Sequence, residues 1–120
     1  MLIRIDSGAD APLYDQIAGS VREDAAAGRI GPGARLPSAR EVSEALDVNL
    51  HTVLKAYQLL RDEGLVEMRR GRGAVLTEMA AAYAGLSADA RALVERAREA
   101  GLGVDAVVAL LRASGSDTRA

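Results

Sequence analysis

The sequence has no cysteine, no tryptophan and no phenylalanine, and a single histidine, His51. Without cysteine there is neither a disulfide framework nor a thiolate metal site, and the absence fits a reducing cytoplasm, the expected compartment. One histidine with no other ligand types close by in sequence makes a poor metal site. Most hydrolytic and metal-dependent chemistries are thereby removed, so no enzymatic activity, metal or cofactor is expected. The aromatics are limited to Tyr14, Tyr57 and Tyr83, so the core has to be built from Leu, Val, Ile and Ala. No stretch approaches the ~20 apolar residues of a membrane span. The opening MLIRIDSGAD is too short in its apolar run, and too interrupted by acids, to read as a secretory signal.

Charge of one sign is also lacking: the net charge is −2. Its distribution is more informative than its sum. Residues 1–28 carry two basic and five acidic side chains, residues 29–73 eight and six, and residues 74–120 five and six. The positive excess lies in the middle, concentrated at Arg69, Arg70 and Arg72.

The alternating Leu2-Ile3-Arg4-Ile5 gives way to turn-forming residues, and a helix is expected to open at Pro12. Tyr14, Ile17, Ala18, Val21 and Ala25 recur on one helical face up to Gly28. The connector RIGPGARLP leads into Ser38-Ala-Arg-Glu41, a capping box opening a short second helix with Val42, Ala45 and Leu46 facing inward. Asp47-Val48 forms a tight turn, and Asn49 caps a third helix whose apolar stripe is Val53, Ala56, Tyr57 and Leu60, closed by Gly64. Tyr57 lies on that stripe and reads as core, not as a stacking platform.

After Gly64 the period changes from helical to two. Residues 65–69 and 74–77 are short strands joined by Arg70-Gly71-Arg72-Gly73, a hairpin with a basic, glycine-rich tip. This glycine pair is no nucleotide loop, because GRGA opens a strand instead of a helix. Beyond Glu78 the pattern is helical again: an Ala-rich stretch to Tyr83, a break at Gly85, a helix over 88–100 capped by Ser87, and a last one over 104–113. The polar end, residues 114–120, reads as a disordered tail.

Helix, capped helix, tight turn, helix and hairpin in this order make a mainly α fold with a small β-hairpin: a winged helix-turn-helix followed by a short helical tail. A turn this short makes the third helix project as a recognition helix does, and the arginine-tipped hairpin reaches a neighbouring groove or its phosphates.

The pieces G-R-I-x-P-G-x-R-L-P-S-x-R-E, T-V-x-K-A-Y-x-x-L and E-G-L-V-E-x-R-x-G-R-G, spread over residues 12–76, closely resemble the amino-terminal domain of GntR-type regulators. The N-x-x-T-V-x-K-A-Y segment and the short helical remainder look most like the YtrA subfamily. The resemblance implies a non-catalytic, operator-binding homodimer, more often a repressor than an activator, whose carboxy-terminal helices dimerise. By position it implicates Arg40, the front of the third helix from Asn49 to Thr52, and the wing around Arg70-Gly71.

Together with the chemistry of the neighbouring residues, the resemblance implies a DNA-contacting set of Ser38, Arg40, Asn49, Leu50, His51, Thr52, Lys55, Arg69, Arg70, Gly71 and Arg72. Some family members carry arginines where this chain has Leu50 and Leu54. Guanine readout by arginine from those positions is therefore absent, and Leu50 is left to touch a thymine methyl. The bland alternatives are a plain cap for Asn49, a solvated face for Lys55 and an edge-protecting charged turn for the wing arginines.

The aliphatics after the wing are too many for two short helices to hide. Met79, Tyr83, Leu86, Leu93, Val94, Ala97, Val104, Val107, Val108 and Leu111 are therefore assigned to a dimer interface. Pairing also doubles the phosphate contacts of a weakly basic protomer. The expected organisation is a DNA-binding domain over 1–77, a dimerisation region over 78–113 and the tail, acting on a palindromic double-stranded operator. The rival is a winged module for protein–protein assembly. A small-molecule effector is left open; the roughly 40 residues after the wing leave little room for a pocket of ~300 Å3 in each subunit.

Overall fold

The computed structural model describes residues 3–117. Helix α1 (Leu13–Ala26) starts directly after Pro12, whose fixed φ suits the turn into a helix. Ile17, Ala18, Val21 and Ala25 point inward from it at helical spacing. Helix α2 (Ala39–Leu46) opens on the anticipated capping box: the Ser38 hydroxyl accepts from the Glu41 amide at 3.1 Å while the Ser38 amide donates to Glu41 Oε1 at 3.2 Å. Its inner face is narrower than the periodicity predicts. Val42 is buried and Leu46 half-buried, but Ala45 is exposed, because eight residues present a single stripe to α3 (Leu50–Glu63).

Asp47 turns the chain between α2 and α3 in the left-handed region, at φ 54°, and is the one non-glycine residue with positive φ among the described residues. The Ser43 hydroxyl ties the turn down by donating to the Val48 carbonyl at 2.7 Å. Helix α3 is the axis of the core: Val53, Ala56 and Leu60 are inaccessible, and Tyr57 is buried as expected. It is held to α1 by the Arg22–Glu63 ion pair, with Arg22 Nε donating to Glu63 Oε1 at 3.0 Å. Gly64 ends it at φ 88°, a conformation a side chain would strain.

Strands β1 (Val66–Arg69) and β2 (Gly73–Leu76) pair antiparallel in the register Val66–Leu76, Met68–Ala74. The outer edge of β2 is covered by the connector. Leu36 N–H donates to the Ala74 carbonyl and Leu76 N–H to the Ala34 carbonyl, both at 2.9 Å. This protects an edge that would otherwise present unpaired backbone groups. The connector therefore has a structural role that its turn-rich composition conceals.

Residues 3–5 lie along α1 rather than in a sheet. Ile3 is buried, the Arg4 amide donates to Ser20 Oγ at 3.0 Å, and the Arg4 guanidinium reaches Asp24 at 3.2 Å. Arg29 binds the same carboxylate oxygen at 2.8 Å. Burial alone pushes the Asp24 carboxyl up, but the hydrogen bonds from Arg29 and Arg4 outweigh it and hold the group below its ordinary range.

After the hairpin, α4 (Met79–Glu99) and α5 (Val104–Asp117) complete the chain. Two expectations change here. Gly85 does not break the helix, nor does Ser87 cap a new one: α4 runs through both, since a single glycine costs a helix only about 1 kcal/mol relative to alanine. The polar end is not a tail from residue 114, because α5 continues to Asp117; residues 118–120 lie outside the described residues. The chain divides into two compact units, Met1–Gly85 and Leu86–Ala120. In the first, the aliphatic core of α1, α3 and the hairpin is closed. In the second, Ala97 and Val107 are buried, while Leu86, Val104, Val108 and Leu111 are exposed and Leu93 and Val94 half-buried.

Candidate nucleic-acid interface

The front of α3 is fixed from behind. The phenol of Tyr57 donates to the Pro37 carbonyl at 2.6 Å, locking the helix to the connector just ahead of α2. Burial pushes that phenol well above its ordinary pKa, and the Glu41 carboxylate adds to the effect. With Val53, Ala56, Tyr57 and Leu60 turned inward, the 3.6-residue period turns His51, Leu54, Lys55 and Gln58 outward, and all four are exposed.

The sequence-derived candidates now separate by what their side chains already do. The Ser38 hydroxyl is spent on its capping box, and Asn49 Oδ1 accepts from the His51 amide at 2.8 Å, capping α3. Leu50 and Thr52 are half-buried. Lys55 is not simply a solvated residue: its ammonium sits 4.0 Å from the centroid of the Tyr14 ring, a cation–π contact between α3 and α1. In the wing, Arg69 folds back on Glu67, with Nε to Oε1 at 2.7 Å, and Arg72 donates to the Gly33 carbonyl at 3.2 Å. These two arginines brace the hairpin. Arg70 stands exposed at the tip beside Gly71, whose φ of 79° makes the turn. Among the described residues, neither Arg40 nor Arg70 has an ion pair or side-chain hydrogen bond, and both are exposed.

The amino end of α2, one flank of α3 and the hairpin meet at a groove of about 280 Å3 lined by Ser38, Leu54, Gln58, Arg61, Met68 and Ala74, among others. Leu54, Gln58, Arg61 and Met68 were not singled out from the sequence as interface residues. The first three stand at i, i+4 and i+7, one helical face, so their shared flank was readable; its facing Met68 was not.

Of the residues assigned to dimerisation, Met79 and Tyr83 belong to the first unit, where Tyr83 packs half-buried against that unit's own core and Met79 is exposed. Among the described residues no cluster of His, Asp or Glu is arranged to hold a metal, and no helix is long and apolar enough to cross a membrane.

Known proteins share this architecture. Residues 13–76 match the family described as bacterial regulatory proteins, gntR family. The HTH-type transcriptional repressor YtrA of Bacillus subtilis is 40% identical over 79 residues, which cover 66% of this chain and 61% of that protein. The HTH-type transcriptional regulator Rv1152 of Mycobacterium tuberculosis is 35% identical over 100 residues, covering 83% of each. Among solved structures, YtrA from Sulfolobus acidocaldarius, a GntR-family transcription factor, superimposes with a TM-score of 0.59 at 42% identity, over 64% of this chain and 81% of that one. The chain thus spans less than two thirds of the Bacillus relative but most of the other two. The winged helix-turn-helix and its matched residues place the chain in the gntR family of bacterial regulatory proteins, as a YtrA-like member of a family of regulators and not of enzymes.

Proposed function

We propose that the chain is a sequence-specific transcriptional repressor that binds a palindromic operator as a homodimer in the cytoplasm. Residues 1–77 make the DNA contacts and residues 78–113 pair the subunits. The observation that carries the reading is the pair of exposed arginines, Arg40 and Arg70, unpaired among the described residues, at the two ends of an interface whose central helix is locked into the core from behind. A recognition helix needs that rigidity, because base contacts are specific only when the backbone presenting them is fixed.

Arg40, Arg70 and Lys55 contact phosphates and set the register. His51, Thr52 and the free amide of Asn49 face base edges, together with Leu50. Ser38 acts through its cap, which holds the amino end of α2 for an anion. Arg69 and Arg72 act by bracing the wing around Gly71 and not by direct contact.

Pairing of subunits is supported by the exposed aliphatics Leu86, Val104, Val108 and Leu111 of the second unit, which also holds the half-buried Leu93 and Val94 and the buried Ala97 and Val107. The repressor assignment is supported by the likeness to the Bacillus protein so described. No small-molecule effector is required by this reading.

The test is selection of bound duplexes from a random pool, followed by fluorescence anisotropy over a salt series. A selected duplex is expected to bind ~1,000-fold more tightly than a scrambled one. Arg40→Ala and Arg70→Ala are each expected to flatten the salt slope by about one for every phosphate they no longer neutralise. If no duplex is enriched and binding to every fragment is negligible at about 0.15 M salt, the operator reading falls and a protein-assembly role takes its place.

A further inference from the structure

The groove between α3 and the hairpin is apolar where a DNA-reading surface is ordinarily polar. Leu54 is 45% exposed and Met68 57% exposed, and both line it. Neither exposure is required by the fold. Val66, two residues before Met68 on the same face of β1, is buried, so Met68 continues the core-facing row of its strand out past the edge of the core. On α3, Leu50 and Leu54 are one helical turn apart, so the half-buried Leu50 continues the row toward the amino end of the helix. Gln58, the polar residue next along this flank, has its amide donating to Asp62 at 3.0 Å. Arg61 ends the row with no ion pair or side-chain hydrogen bond among the described residues. The groove thus has an apolar floor and a cation at one end, matching the C5 edge of a base next to a backbone phosphate.

We infer that this groove reads 5-methyl groups: Leu54, flanked by Met68 and Leu50, packs against the methyl of a thymine in the major groove, while Arg61 takes a neighbouring phosphate. The inference rests on the operator reading above and names the specificity of the same face. The C5-methyl is the only apolar group a base pair shows in the major groove, and it distinguishes T·A from the other pairs without a hydrogen bond. Desolvating one methyl against aliphatic carbon corresponds to about four-fold in affinity, and about sixteen-fold for the symmetry-related pair in a two-fold operator. DNA is favoured over a second protein chain as the occupant because the groove adjoins Ser38 and the α2 amino end and carries a positive charge but no exposed acid in its lining.

The test uses the full chain and a duplex selected from the random pool. Each thymine is replaced in turn by deoxyuridine, which deletes the methyl and leaves every base-pair hydrogen bond. Anisotropy is expected to show a loss of about four-fold at one position in each half-site, and Leu54→Ala is expected to bind the thymine and uridine duplexes equally. Alanine keeps α3 helical and Leu54 is not core, so the variant folds, and circular dichroism checks this; Met68→Ala provides a second variant on the facing strand. Uridine duplexes that bind as tightly as thymine duplexes at every position overturn this inference and leave operator binding standing. Discrimination that survives in both Leu54→Ala and Met68→Ala overturns the assignment to this groove. Failure to select any duplex overturns the operator reading and this inference with it.

Discussion

The two units of the chain use similarly aliphatic sequence in opposite ways. In the first, Ile17, Val53, Leu60, Leu65 and Leu76 are at most 1% exposed. In the second, Leu86, Val104, Leu110 and Leu111 are each more than half exposed, and among the described residues only Ala97 and Val107 are buried. The difference lies in layering. Three helices and a hairpin can enclose side chains from several sides, whereas two helices alone can each cover at most one stripe of the other. Apolar content therefore does not tell where a chain is finished; the geometry of the elements does. The second unit carries aliphatics that its own fold cannot hide, and this is the physical ground for proposing it as the surface that pairs two subunits.

The largest effects are expected from replacing one leucine in each unit. Leu60→Ala removes a fully buried side chain and leaves a cavity, at a cost of about 2–5 kcal/mol in urea unfolding. Leu111→Gln alters a residue that is 56% exposed within its own chain. It should leave the unfolding of the first unit unchanged while weakening self-association by about 3 kcal/mol, two copies at about 1.5 each, in sedimentation equilibrium. A monomeric wild-type chain, or a Leu111→Gln dimer as tight as wild type, would remove the second unit from the interface.

The next effect is electrostatic and belongs to the first unit. Asp24 has a carboxylate that is 4% exposed and bridges Arg4 and Arg29, tying the amino-terminal segment and the connector to α1. Its folded pKa lies below the ordinary 3.8. Its stabilising contribution is therefore complete above that value and is lost as pH falls through the lowered one. Asp24→Asn keeps the shape but not the charge. It should cost about 1–3 kcal/mol at pH 7, and the gap from wild type should narrow in acid below pH 3.8. An equal gap at all pH values would mean that the carboxylate acts by packing alone.

How much of this is legible in the sequence depends on the range of the interaction. The capping box at Ser38 and Glu41, the Asn49 cap, the Tyr57 stripe and the hairpin can be read directly, because each is decided within a few residues. What escapes is decided across the fold. The three wing arginines look equivalent in sequence, yet Arg72 is bound to a carbonyl 39 residues away and Arg69 to its own strand. The Arg69–Glu67 pair could have been anticipated, since alternate residues share a strand face; the reach of Arg72 to Gly33 could not. Gly85 misleads in the other direction: a local breaker is overridden by the helical residues on either side of it.

The smallest effect is expected at Lys55, which stands between α1 and the proposed DNA face of α3. Lys55 is proposed above as a phosphate contact from its position in α3, and the structure places its ammonium 4.0 Å from the Tyr14 ring centroid. The two roles are compatible, because an ammonium has three donors and an aromatic face occupies one side of it. They separate experimentally. Tyr14→Phe keeps the ring and should be neutral, whereas Tyr14→Leu removes it and should cost about 0.5 kcal/mol in unfolding, the worth of an exposed cation–π contact. In DNA titrations Tyr14→Leu should weaken binding by only about two-fold with an unchanged salt slope, since the charge remains and only its fixed position goes. Lys55→Gln should lower that slope by about one. A slope that stays the same in Lys55→Gln would make the lysine a strut between α1 and α3, leaving Arg40 and Arg70 to hold the phosphates at the two ends of the interface.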